Sequence, residues 1–150
     1  MGTEIAQMGS SSDVLPGFLS LPAEAESIKY ARDHVKNECE RMGFTADAVY
    51  RAALVVSELM TNAFKHGSES RDDTIGVRFF RGDAGPVLEV SDESDDLPVV
   101  GGFDFVGESG RGLALMELIV QSWGVNPSAR SGGRGKVVWA LLIEGDLPRV

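Results

Sequence analysis

Residues 45–67, TADAVYRAALVVSELMTNAFKHG, decide the fold. Helix punctuation stands at both ends. Thr45 suits an N-cap, Asp47 meets the dipole in the first turn, and Gly67 suits the position after the last turn. Val49, Ala52, Ala53, Val56, Leu59, Met60 and Ala63 recur in steps of three and four and define one buried face. Glu58, Asn62 and His66 fall at i, i+4 and i+8, which stacks them along one edge of that helix. Leu59, Met60 and Ala63 flank this line, so it borders the core. A carboxylate and a carboxamide set there are costly unless paired. A hydrated metal ion carrying a phosphate would pair both. The plainer alternative is a solvated helix edge with a C-terminal histidine favoured by the dipole, and this stretch alone favours it.

A second helix precedes the first stretch. From Pro22 to Met42, the residues Ile28, Ala31, Val35, Cys39 and Met42 follow helical spacing, and Gly43 ends the run. His34, between Asp33 and Val35, belongs at the surface or boundary. Cys39 is the sole cysteine, so neither an intrachain disulfide nor a cysteine zinc cluster can form. Its place on the apolar stripe makes it a small core residue rather than a nucleophile. Val14 to Leu21 suits a short strand that Pro16 restricts to an edge. Residues 1–13 carry Gly, Ser and Thr without periodicity and read as a disordered tail.

Beyond Gly67, Ser68 to Asp73 is a polar link. Thr74 to Arg81 alternates, with Ile75, Val77 and Phe79 on one face. Turn residues 82–85 lead back into a second strand, Val87 to Asp92. Leu88, Val90 and Asp92 share a face of that strand, so Asp92 points the same way as two core residues. An inward carboxylate needs donors. Equally, an Asp at a strand end can start a turn and bond its own backbone. Residues 93–109 show neither period and contain three glycines, Pro98 and five acids, as a functional lid would. Gly110-Arg111-Gly112 opens an apolar helix, Leu113 to Val120. Glycines there admit an anion to the free N–H groups of a helix start, or serve packing alone. Trp123 to Asn126 and Lys136 to Ile143 form a last hairpin, and Val137 to Ile143 is apolar on both faces, as a central covered strand would be. Residues 145–150 form a short tail.

The chain has 150 residues, enough for one domain with a core, here assigned to residues 14–144. Net charge is -9 and the pI about 4.6, which argues against a nucleic acid or an anionic membrane as partner. A basic patch on a protein partner is compatible. No transmembrane run or signal peptide is evident, so the cytoplasm is the simplest location.

Standard phosphate loops are absent. Gly133-Arg134-Gly135-Lys136 has the tail of one, but Val137 replaces the required Ser or Thr. Three other pieces form a pattern in order: Glu58-Leu59-Met60-Thr61-Asn62-Ala63-Phe64-Lys65-His66-Gly67, then Leu88-Glu89-Val90-Ser91-Asp92, then Gly110-Arg111-Gly112-Leu113-Ala114-Leu115. Together they resemble the GHKL, or Bergerat-fold, ATPases, and within them the bacterial anti-sigma-factor serine kinases. The similarity runs from about residue 18 to residue 143.

The resemblance implies an α+β two-layer sandwich: a mixed, mostly antiparallel sheet with three helices on one face and the nucleotide between the layers. It implies ATP and Mg²⁺ as cofactors. Asn62 would hold the metal between the phosphates, and Glu58 would be the general base for the acceptor hydroxyl. His66 and Gly67 would close the helix beside the nucleotide. Asp92 would accept the adenine amino hydrogen, and residues 93–109 would be the ATP lid. Gly110, Arg111 and Gly112 would meet the phosphates. Relatives often carry Gly where this chain has Ser94, beside the base, and the acidic lid is unusual next to a polyphosphate.

The function implied is a serine/threonine kinase that holds a sigma factor inactive and phosphorylates an anti-sigma-factor antagonist. The rival is a binding module in which nucleotide gates partner affinity without turnover. A histidine-kinase catalytic domain is disfavoured, because the chain has no room for a dimerisation helix pair with its own phospho-acceptor. Relatives often dimerise, so a homodimer is compatible.

Overall fold

The computed structural model describes residues 17–66, 73–94, 116, 119–127 and 135–144. The chain order is β1 (Phe18–Pro22), α1 (Ser27–Arg41), α2 (Ala46–His66), β2 (Thr74–Gly82), β3 (Gly85–Asp92), β4 (Val120–Pro127) and β5 (Lys136–Leu142). The five strands form one sheet in the order β1-β2-β3-β5-β4. All four pairings are antiparallel, so the mixed sheet expected from the sequence is wholly antiparallel among the described residues.

The two helices are joined by a tight corner whose parts are legible in the sequence. Gly43 has φ +83°, Gly43 N–H donates to Glu40 O and Phe44 N–H donates to Cys39 O. This pair of bonds closes α1 and needs a residue comfortable in the left-handed region. Two residues later Thr45 Oγ1 accepts from Ala48 N–H at 3.1 Å and starts α2. Phe44, between them, packs edge-on against Phe79 of β2 with ring centroids 5.8 Å apart. The first helix begins at Ser27, not Pro22. Pro22 is the last residue of β1, paired with Thr74, and a turn follows in which Ser27 N–H donates to Glu24 O. As an edge-strand residue, Pro22 can lack its N–H without an orphaned partner.

Both described helices lie on one face of the sheet. Ala52, Val56, Leu59 and Met60 of α2 and Ala31, Val35 and Cys39 of α1 join Ile75, Val77, Phe79, Leu88, Val90, Val138 and Ala140 in one core. Val55, absent from the stripe read in the sequence, is also fully buried there. The other face of β5 (Val137, Trp139 and Leu141) is half-buried rather than covered. Met116 and Ile119 are helical, and Met116 is buried. The rest of the expected third helix lies outside the described residues. Val120, expected to end that helix, instead opens β4, which pairs from there onward with β5 through one irregularity. No helix among the described residues is long and apolar enough to cross a membrane.

Candidate functional site

The site is built on the C-terminal half of α2 and the C-terminal end of β3, which α2 packs against. Polar residues on α2 divide into two kinds. Ser57 Oγ donates to Ala53 O at 2.8 Å, and Thr61 Oγ1 donates to Ser57 O at 2.8 Å. These hydroxyls are satisfied within the helix. Asn62 is not. It is 8% exposed, and its Oδ1 is buried with no hydrogen-bond partner among the described residues. A buried amide oxygen left unpaired costs about 1–3 kcal/mol, so it asks for a partner.

Glu58, one turn earlier, is half-buried. Burial pushes its carboxyl above the ordinary glutamate range, and the Lys65 ammonium opposes this only in part. A carboxylate so destabilised is a better proton acceptor than a solvated one. His66 closes α2 as the last helical residue.

At the end of β3, Asp92 is 6% exposed. Its Oδ1 accepts from Lys136 Nζ at 2.9 Å and from Ser94 N–H at 3.0 Å. The two readings that the sequence left open are both realised: the carboxylate faces inward, and it also starts a turn. Burial raises the Asp92 carboxyl, while Lys136 and the Ser94 N–H pull against the rise. Ser94 itself is buried beside it. Glu93, between them, accepts from Thr74 N–H and Thr74 Oγ1 at 2.8 and 3.0 Å, which ties this corner to the start of β2. Both bonds to Asp92 fall on Oδ1, so Oδ2 is the oxygen available to an incoming donor.

Lys136 was missed as a site residue by the sequence reading, which placed it at the start of the last strand and in the discarded tail of a phosphate loop. A signal was present. Lys136, Val138, Ala140 and Leu142 share a face of β5, and that face is the buried one. Asp92 and Lys136 are register partners across β3 and β5. Gly135 makes the approach. It has φ +89°, and a side chain there would collide with the Asp92 carbonyl.

The structure therefore brings Asp92, Ser94 and Lys136 together and sets Glu58 and Asn62 on the helix packed against that strand. Gly67, Gly110, Arg111, Gly112 and lid residues 95–109 lie outside the described residues. No group of three or more His, Cys, Asp or Glu side chains is placed to hold a metal among the described residues. A Mg²⁺ ion fits this site only as one that shares phosphate and water ligands with a single protein oxygen, and the unpaired Asn62 Oδ1 offers that oxygen.

The comparisons with known proteins bear on family and fold. The model of the histidine kinase-like ATPase domain matches residues 21–142. The serine-protein kinase RsbW of Bacillus subtilis is 28% identical over 115 residues, covering 68% of this chain and 72% of that protein. Its namesake in Bacillus velezensis is 29% identical over 126 residues, covering 75% and 78%. Among solved structures, a chain of the SiaB–SiaC complex from Pseudomonas aeruginosa superimposes with a TM-score of 0.55 at 14% identity, covering 84% of this chain and 89% of that one, a likeness of fold.

Proposed function

The chain belongs to the histidine kinase-like ATPase family, and from that premise we propose that it is an ATP- and Mg²⁺-dependent serine/threonine kinase. Its substrate is an anti-sigma-factor antagonist protein, and its second partner is the sigma factor it restrains. The named relatives, both serine-protein kinases, support the choice of acceptor chemistry. The observation that carries the reading is the pair on α2: an unpaired buried amide oxygen at Asn62 and, one turn away, a half-buried carboxylate at Glu58.

Each residue has a distinct task. Asn62 holds the metal, which would screen the charge of the phosphates. Glu58 accepts the proton of the acceptor hydroxyl. Asp92 accepts the amino hydrogen of adenine through Oδ2, and Ser94 borders the base. By the family resemblance, His66 and Gly67 would lie beside the nucleotide, Gly110, Arg111 and Gly112 would meet the phosphates, and residues 93–109 would cover them. The catalytic domain spans residues 14–144, with tails at 1–13 and 145–150, and works in the cytoplasm, where sigma factors act. Calorimetric titration with ATP, with and without Mg²⁺, tests the site itself. Tighter binding with the metal is expected, and equal affinity in both would overturn the assignment of Asn62.

A further inference from the structure

Lys136 is a buried ammonium, its side chain 4% exposed, and the acceptor it meets among the described residues is Asp92 Oδ1 at 2.9 Å. An ammonium carries three hydrogens, and burying a charge with donors unspent is costly. Its position is also built rather than incidental. The left-handed backbone at Gly135 brings β5 against the Asp92 carbonyl, and the β3–β5 register sets residue 136 opposite residue 92. The pair thus presents an acceptor, Asp92 Oδ2, next to a donor, Lys136 Nζ. A carboxylate alone can read only the amino group of a base. An acceptor beside a donor can read two neighbouring positions on one edge.

Adenine offers the complement. Its 6-amino group donates, and the ring nitrogen N1, bonded to the same carbon, accepts. We infer that Lys136 is a specificity-determining residue of the nucleotide site, donating to adenine N1 while Asp92 accepts from the 6-amino group. The inference rests on the reading of Asp92 as the base-binding residue. It gives the ammonium a use for a second hydrogen, and that bond, being charge-assisted, is of the stronger kind.

The test is calorimetric titration of the full chain with Mg²⁺ and three nucleotides: ATP, 1-deaza-ATP, in which carbon replaces N1, and 3-deaza-ATP, which keeps N1. The parent should bind 1-deaza-ATP roughly tenfold or more weakly than ATP, since the analogue leaves a buried donor unpaired. It should bind 3-deaza-ATP as it binds ATP. The Lys136→Met variant should lose the distinction between ATP and 1-deaza-ATP. Should that variant fail to fold, the parent's own ranking of the three nucleotides decides. Equal affinity of the parent for ATP and 1-deaza-ATP, or an equal loss with both analogues, would overturn the role of Lys136 and leave the nucleotide site standing. No binding of any of the three would overturn the inference together with the nucleotide reading beneath it.

Discussion

Lys136 Nζ lies 2.9 Å from Asp92 Oδ1, and the two side chains are 4% and 3% exposed. Neither partner can reach water to recover solvation if the other is lost. Removal of one partner from a buried pair typically costs about 3–5 kcal/mol. Lys136→Met should therefore destabilise the chain by about that amount in urea unfolding. The double variant Asp92→Asn with Lys136→Met should recover most of it, because no charge is then left buried. A double variant as unstable as Lys136→Met alone would show that Lys136 acts through packing and not through its charge.

Glu58 makes a prediction about pH. Burial raises its folded-state carboxyl above the unfolded value of 4.5. The folded state therefore holds the proton more tightly. The stability this contributes is present below the unfolded value and lost as pH rises through the folded one. Glu58→Gln removes the effect. The variant should be more stable than the parent at pH 7, and the gap should shrink as pH falls towards 4. Denaturant midpoints measured across that range check it, and a gap that does not vary with pH would show that burial of Glu58 has no energetic consequence.

Asn62 makes a prediction about folding and metal together. Its Oδ1 makes no hydrogen bond among the described residues, so Asn62→Ala removes an unpaired buried acceptor and should leave the chain at least as stable as the parent, by up to about 1–3 kcal/mol. The same variant should bind ATP equally well with and without Mg²⁺. A variant that keeps the parent's metal dependence would move the metal to another ligand.

Cys39 should be inert. Burial, aided by Glu38 and Glu40, pushes its thiol up to about 12. At pH 8 that leaves roughly 10³-fold less thiolate than an ordinary cysteine has, and the thiolate is the reactive form. Iodoacetamide should label the urea-unfolded chain readily and the folded chain very slowly. Equal labelling rates would mean that the α1–α2 layer opens locally.

The elements that announced themselves in the sequence are those fixed by local chemistry. Thr45 and Gly43 carry the corner between the helices in their own side chains and backbone, and α2 follows from its apolar spacing. The inward parity of Asp92 was equally legible, because alternation along one strand is a local property. Lys136 was not, although its own strand alternates too. Its meaning depends on which strand stands beside β5, and register between residues 44 positions apart is set by the assembled sheet. The start of α1 was misplaced for a similar reason: Pro22 suits a first helical turn, yet pairing with Thr74 claims it for β1.

If Glu58 serves phosphoryl transfer to a protein hydroxyl, removing its basicity must slow that transfer. Parent and Glu58→Gln are each mixed with Mg-ATP and a candidate anti-sigma-factor antagonist, and the phosphoprotein is followed by intact mass. Glu58→Gln keeps the shape of the side chain and removes its capacity to take a proton. Transfer by the parent is expected, and transfer slower by about 10²–10⁴-fold in the variant with ATP binding retained. Transfer at the parent's rate by Glu58→Gln would contradict that role of Glu58.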